Sequence, residues 1–159
     1  VCTLLKQMLA MDSVESDEII VQRAGMSIND IFDHYGEAHF RDMESQVLKD
    51  LGVCHQTVIS CGGGAVLRPQ NVETLRQHSR IVLLTASPET ILSRVKDNDD
   101  RPKLRGKKNV RDIAAMMAVR EPAYIAAADV IVNTDNKSVL QICEEIITRP
   151  IAFGKGQNA

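Results

Sequence analysis

Three consecutive glycines, Gly62-Gly63-Gly64, follow the apolar run Thr57 to Cys61 and lead into Ala65-Val66-Leu67. Glycine loses more backbone freedom on folding than any other residue, so a triplet is costly to order. A plain tight turn would need one or two. Three bare backbone units at the end of a strand let a ligand lie against the chain. The stretch therefore demands a fold in which a buried-looking strand delivers its carboxyl end to a site. It is not a Walker A loop, which needs G-x-x-x-x-G-K-[ST] so that the lysine meets the phosphates and the hydroxyl meets Mg²⁺. No lysine or hydroxyl follows these glycines.

Strands and helices alternate around that stretch. Leu4, Leu5, Met8 and Leu9 have the spacing of one helix face, and a short strand is expected at Ser13 to Glu15. Asp17 reads as the N-cap of a short helix that Gly25 stops. Ser27 and Asp30 resemble a capping box, opening a helix over 28–51 that Gly36 breaks or bends. Pro69 suits the first turn of a helix reaching His78. Arg80 to Thr85 reads as a strand buried on both faces, the pattern of a parallel sheet. Ser87-Pro88-Glu89 starts another helix, N-cap then proline. A helix over 110–127, a strand over 129–132 and a helix over 137–148 complete the series. This alternation predicts a single α/β domain, a three-layer parallel sheet flanked by helices. Ligands in such sheets bind at the carboxyl ends of the strands.

Composition excludes several functions. The 159 residues carry a net charge of -2 and only 3% aromatics, with no Trp. Neither the stacking rings of a single-strand binder nor a general basic surface is present. No nucleic-acid or membrane partner is expected, and no apolar run approaches the length of a membrane span. Cys2, Cys54, Cys61 and Cys143 form no C-x-x-C pair, and the four histidines lack metal spacing. The thiols are expected to be reduced and mostly buried, in a cytoplasmic protein.

The polar segment Lys96 to Asn109 has one apolar residue, Leu104, and is the kind of long loop that serves as a lid. Four charged residues stand beside apolar elements: Asp17, Arg41, Arg101 and Arg120. Together they suggest arginines converging on an anionic ligand with one carboxylate among them. Arginine is the usual choice for bidentate recognition of carboxylate or phosphate.

These pieces resemble the shikimate kinase family. Phe40-Arg41-x-x-Glu44, the glycine triplet, Arg101-Pro102 and Arg120-x-Pro122-x-Tyr124 occur together and in order, and the likeness runs from Val1 to about Arg149. The resemblance implies a P-loop kinase type of α/β fold, with residues 150–159 as a tail. It implies transfer of the ATP γ-phosphoryl group to the 3-hydroxyl of shikimate in chorismate biosynthesis, by a cytoplasmic monomer. By position, Asp17 would bind shikimate and act on its attacking hydroxyl. Arg41 and Arg120 would hold its carboxylate, and Gly62, Gly63 and Gly64 would contact its ring. Arg101 in the lid would reach ATP and the transferring phosphoryl group; Arg94 and Lys137 would border the nucleotide. Glu15 would sit near Mg²⁺, through water.

Two departures from the family pattern matter. Its D-x-D reads Glu15-Ser16-Asp17 here, which keeps the charge but adds a methylene. Its opening strand and Walker A loop are not among these residues. With the family's strand order 2-3-1-4-5, four of five strands are expected, the central first strand missing, and with it a poorly stable fragment that does not turn over ATP. Two other readings stay open: another small-molecule P-loop kinase, such as one acting on gluconate, and a non-catalytic shikimate-binding or regulatory remnant.

Overall fold

Short strands and helices alternate along residues 1–95 and 109–149, the part of the chain that the computed structural model describes. The element order is α1 (Cys2–Leu9), β1 (Asp12–Glu15), α2 (Ser16–Ala24), α3 (Ile28–Leu51), β2 (Thr57–Ser60), a 3-10 turn (Ala65–Leu67), α4 (Pro69–Arg76), β3 (Val82–Thr85), α5 (Pro88–Val95), α6 (Val110–Ala127), β4 (Val130–Asn133) and α7 (Val139–Thr148). The lid expected over 96–109, except Asn109, and the tail at 150–159 lie outside the described residues, as does Arg101.

The strands run parallel in two separate pairs, β1 with β2 and β3 with β4. That is the pairing implied by the order 2-3-1-4-5 for the strands present. Among the described residues, β2 and β3 are therefore each hydrogen-bonded along one edge only. Helix α1 packs on β1, β2 and α7, and α7 packs on β4, so the two helices bridge the pairs. A second link joins α4 to α6: Arg76 Nη2 donates to the carbonyls of Ala126 and Ala127, at 2.8 and 3.1 Å. These are orphan carbonyls of a helix end, which need outside donors.

The main apolar cluster lies between α2, α3 and the β1–β2 pair, around Ile20, Ile31, Phe40, Val47 and Leu51. A separate cluster of Val130, Val132 and Ile142 holds α7 against the β3–β4 pair. Local chemistry explains the boundaries. Ser27 Oγ accepts from the Asp30 amide at 3.1 Å and caps α3. Gly36, at φ 80°, takes a conformation that side chains resist, and it divides α3 into two helical arms. Ser138 and Gln141 close a complete capping box on α7.

Three expectations are corrected. The strand Val82–Thr85 is not buried on both faces: Leu84 is 41% exposed, because the described elements leave its face of the sheet partly uncovered. Asp17 is not an N-cap. The turn begins two residues earlier, with Glu15 at the cap, so Asp17 stands inside the first turn. Of the four thiols, only Cys143 is buried, and Cys61 is exposed.

Candidate active site

The site is built on the glycine triplet at the carboxyl end of β2. Gly62 lies against Asp17: a Cβ on this glycine would stand 3.2 Å from Asp17 Oδ1. Gly63 lies against α6: its Cβ would be 3.1 Å from the Tyr124 hydroxyl and 4.0 Å from Arg120 Nη1. Gly64 lies against α3: its Cβ would fall 2.0 to 2.3 Å from Nη1, Cζ and Nη2 of Arg41. Each glycine thus receives a side chain from a different helix, and at Gly64 the guanidinium occupies the space a side chain would need. The fold brings Asp17, Arg41 and Arg120 onto one short stretch of backbone, although they are far apart in the chain.

Arg41 is firmly held. Its Nη1 donates to Glu44 Oε2 at 2.6 Å and its Nη2 reaches Glu37 at 3.4 Å, both within one or two turns of α3. The Phe40 ring lies 5.1 Å from its Cζ, within cation–π range. Glu44 is 1% exposed, and its other oxygen, Oε1, accepts no hydrogen bond among the described residues. Burial pushes the Glu44 carboxyl above its ordinary value; Arg41 pulls it down and the Asp17 charge pushes it further up. The Cys61 thiol, next to Gly62, is pushed up to about 12 by desolvation and by the negative charges of Glu44 and Asp17. The thiol is therefore protonated and unreactive at neutral pH, although the residue keeps solvent contact.

Arg120 is treated differently from Arg41. Among the described residues it makes no ion pair, and its polar neighbour is the Tyr124 hydroxyl, 3.5 Å from Nη1. That hydroxyl donates to the Gly63 carbonyl at 2.7 Å. Asp17 stands in the first turn of α2, where the amide ends of the helix favour an anion. The resulting cluster offers one carboxylate, two arginines and bare backbone, a set suited to an acidic, hydroxylated small molecule.

A second group of candidate residues gathers at the loop after β4. Arg94 Nη1 donates to Thr134 Oγ1 at 2.9 Å and its Nη2 to the Thr134 carbonyl at 3.1 Å. Lys137 in the same loop is ion-paired with Glu145. Asp135 takes the Ser87 amide on both oxygens, at 3.1 and 2.9 Å, and so latches this loop to the start of α5. Glu15, expected near Mg²⁺, is exposed at the end of β1. No described group of three His, Cys, Asp or Glu residues could cage a metal.

Glu44 and Tyr124 also stand in the site, in contact with Arg41 and Gly63, although sequence reasoning gave them no role inside the quoted motifs. Helical spacing was the available signal: Arg41 and Glu44 are three apart, Arg120 and Tyr124 four apart, so each pair shares a helix face.

Fold and site together define a class, an α/β protein that gathers a carboxylate and two arginines on a glycine triplet at the carboxyl end of a parallel strand. Comparisons with known proteins narrow this class. The family model described as shikimate kinase matches residues 1–150. A shikimate kinase of Geobacter sulfurreducens is 43% identical over 91% of this chain and 80% of its own length. One of Dehalococcoides mccartyi is 39% identical over 92% of this chain and 82% of its own. Among solved structures, shikimate kinase from Acinetobacter baumannii in complex with shikimate superposes with a TM-score of 0.87 at 27% identity, covering 92% of this chain and 82% of that one. The Aquifex aeolicus enzyme gives a TM-score of 0.76 at 32% identity, with 92% and 84% covered. The chain belongs to the shikimate kinase family.

Proposed function

We propose that the protein phosphorylates shikimate at the expense of ATP and that the glycine pocket is its acceptor site. The observation that carries this reading is the convergence of Asp17, Arg41 and Arg120 on Gly62, Gly63 and Gly64. Arg41 and Arg120 bind the shikimate carboxylate. Each is a charge-assisted donor that a neutral or hydroxyl-only ligand could not satisfy. The glycines let the ring approach the backbone. Asp17 accepts the proton of the attacking hydroxyl as its oxygen bonds to the γ-phosphorus and the bond to the ADP oxygen breaks. Phosphoryl transfer depends on positioning and charge stabilisation more than on covalent chemistry.

Arg94, the loop carrying Lys137, and Arg101 form the nucleotide side in this reading, and Arg101 supplies positive charge to the transferring group. Glu15 fits a hydrated Mg²⁺: it is exposed at a strand end, and Mg²⁺ commonly keeps several waters and takes one or two carboxylates. When bound, the ion neutralises charge on the nucleotide phosphates. A monomeric, cytoplasmic enzyme of chorismate biosynthesis accords with the family. No described helix is long and apolar enough to cross a membrane.

The test is ADP release by the full-length protein with shikimate or gluconate as acceptor. Shikimate-dependent turnover is expected. Arg41→Ala and Arg120→Ala each raise KM for shikimate by at least about tenfold, the loss of one hydrogen-bonded charge contact. Turnover on gluconate instead, or unchanged KM in both variants, overturns the reading.

A further inference from the structure

A polar contact that joins two distant segments of chain beside the glycines is made by a residue with no assigned role. Tyr124 Oη donates to the Gly63 carbonyl at 2.7 Å across 61 residues of sequence, while Arg120 Nη1 stands 3.5 Å from the same oxygen. We propose that Tyr124 is a positioning residue for substrate: its hydroxyl fixes Arg120 against Gly63 without neutralising it. This rests on reading the glycine pocket as the shikimate site.

The chemistry of a phenol gives the arrangement a direction. A hydroxyl has one proton and two lone pairs. Here the proton is committed to a carbonyl, so toward Arg120 the oxygen can only accept, and a guanidinium can only donate. The two contacts are mutually consistent and fix which way each group faces. The contrast with Arg41 shows the consequence. Arg41 is oriented by carboxylates, Glu44 and Glu37, which spend part of its charge. Arg120 has no ion pair among the described residues and is oriented by a neutral acceptor. No described carboxylate pairs with it, so within these residues its charge stays available to an incoming one. A phenylalanine at this position would fill the same space but leave Arg120 unoriented; an acidic residue would orient it and compete with the substrate.

The placement also links elements. Tyr124 sits one helical turn beyond Arg120 on α6, and its ring is half-buried beside the glycines. A Cβ on Gly63 would come within 3.1 Å of the hydroxyl, so the contact depends on a bare backbone there. The same hydrogen bond holds the strand end and the helix at one separation, which is the separation between the two sides that would grip the substrate.

The experiment compares wild type, Tyr124→Phe, Arg120→Ala and the double variant in the full-length protein. Steady-state kinetics and calorimetric titration with shikimate are measured alongside the melting temperature. Tyr124→Phe keeps the ring and is expected to raise KM and Kd for shikimate about five- to tenfold, leaving KM for ATP unchanged. In the Arg120→Ala background the same substitution changes neither by more than about twofold, because its effect acts through that arginine. A purely structural hydroxyl would lower the melting temperature and leave shikimate affinity alone, or weaken both substrates equally; either result overturns the proposal. So does an effect of Tyr124→Phe that adds fully to that of Arg120→Ala. If Arg120→Ala weakens shikimate binding and Tyr124→Phe does not, only the positioning role fails. If neither does, the pocket reading fails with it.

Discussion

At the scale of single residues, the pocket depends on side chains that are absent. Gly64 matters because the Arg41 guanidinium occupies the space of its missing Cβ, 2.0 to 2.3 Å away. Such an overlap with backbone would force the fold apart. Here the obstacle is the far end of a flexible side chain, so Gly64→Ala is expected to fold and to displace the arginine instead. KM for shikimate then rises by about tenfold or more, the scale of one lost charge-assisted contact, while the melting temperature shifts by a few degrees. Steady-state kinetics beside thermal melts check both halves. A large fall in stability with unchanged KM would show that Arg41 keeps its place and the backbone yields. Glu44 completes the picture: a fully buried carboxylate is tolerable because Arg41 pairs with it, and removing one partner of a buried pair costs about 3–5 kcal/mol.

At the scale of elements, the loop after β4 is tied to the start of α5 by one carboxylate. Donors from Thr90, the Ser87 amide and Asn133 hold Asp135 down to about 2, below its ordinary 3.8. The folded state therefore prefers the ionised form more than the unfolded chain does. Linkage gives the sign: this contribution is fully present above about 3.8 and is lost as pH falls toward about 2. Asp135→Asn is expected to be less stable than wild type at neutral pH, with a gap that closes across that acidic window. Urea denaturation at a series of pH values measures it. A gap independent of pH would show that shape, not charge, makes the latch.

At the scale of the whole molecule, two strand pairs that share no hydrogen-bonded strand among the described residues are joined through helices. Arg76 caps the carboxyl end of α6 from α4, and Tyr124 reaches Gly63 a turn earlier. Arg76 is partly exposed, so its pairing with Asp129 at 3.9 Å adds little, and its worth lies in the two carbonyls it satisfies. Arg76→Ala is expected to cost about 1 kcal/mol. It should also speed amide exchange in both α4 and the last turn of α6. Hydrogen-exchange mass spectrometry distinguishes this from a local effect, in which only one of the two segments would loosen.

The sequence by itself determined the elements and the ingredients of the site. Period and capping placed the helix at Val110–Ala127, the break at Gly36 and the stop at Gly25, because these signals act within a few residues. The motifs singled out Asp17, Arg41, Arg120 and the glycines, because an anion-binding pocket needs those residue types. Only the tertiary structure decided which helix meets which glycine, since Asp17, Arg41 and Tyr124 reach the triplet across long stretches of chain. It also decided the burial of β3, which a run of apolar residues cannot reveal: a strand side chain is buried only where another element packs over its face of the sheet, and Leu84 is left exposed. The different treatment of the two arginines was likewise invisible before folding. Whether a guanidinium is quenched by a carboxylate or only turned by a phenol depends on which side chains the packed helix faces bring within hydrogen-bonding distance.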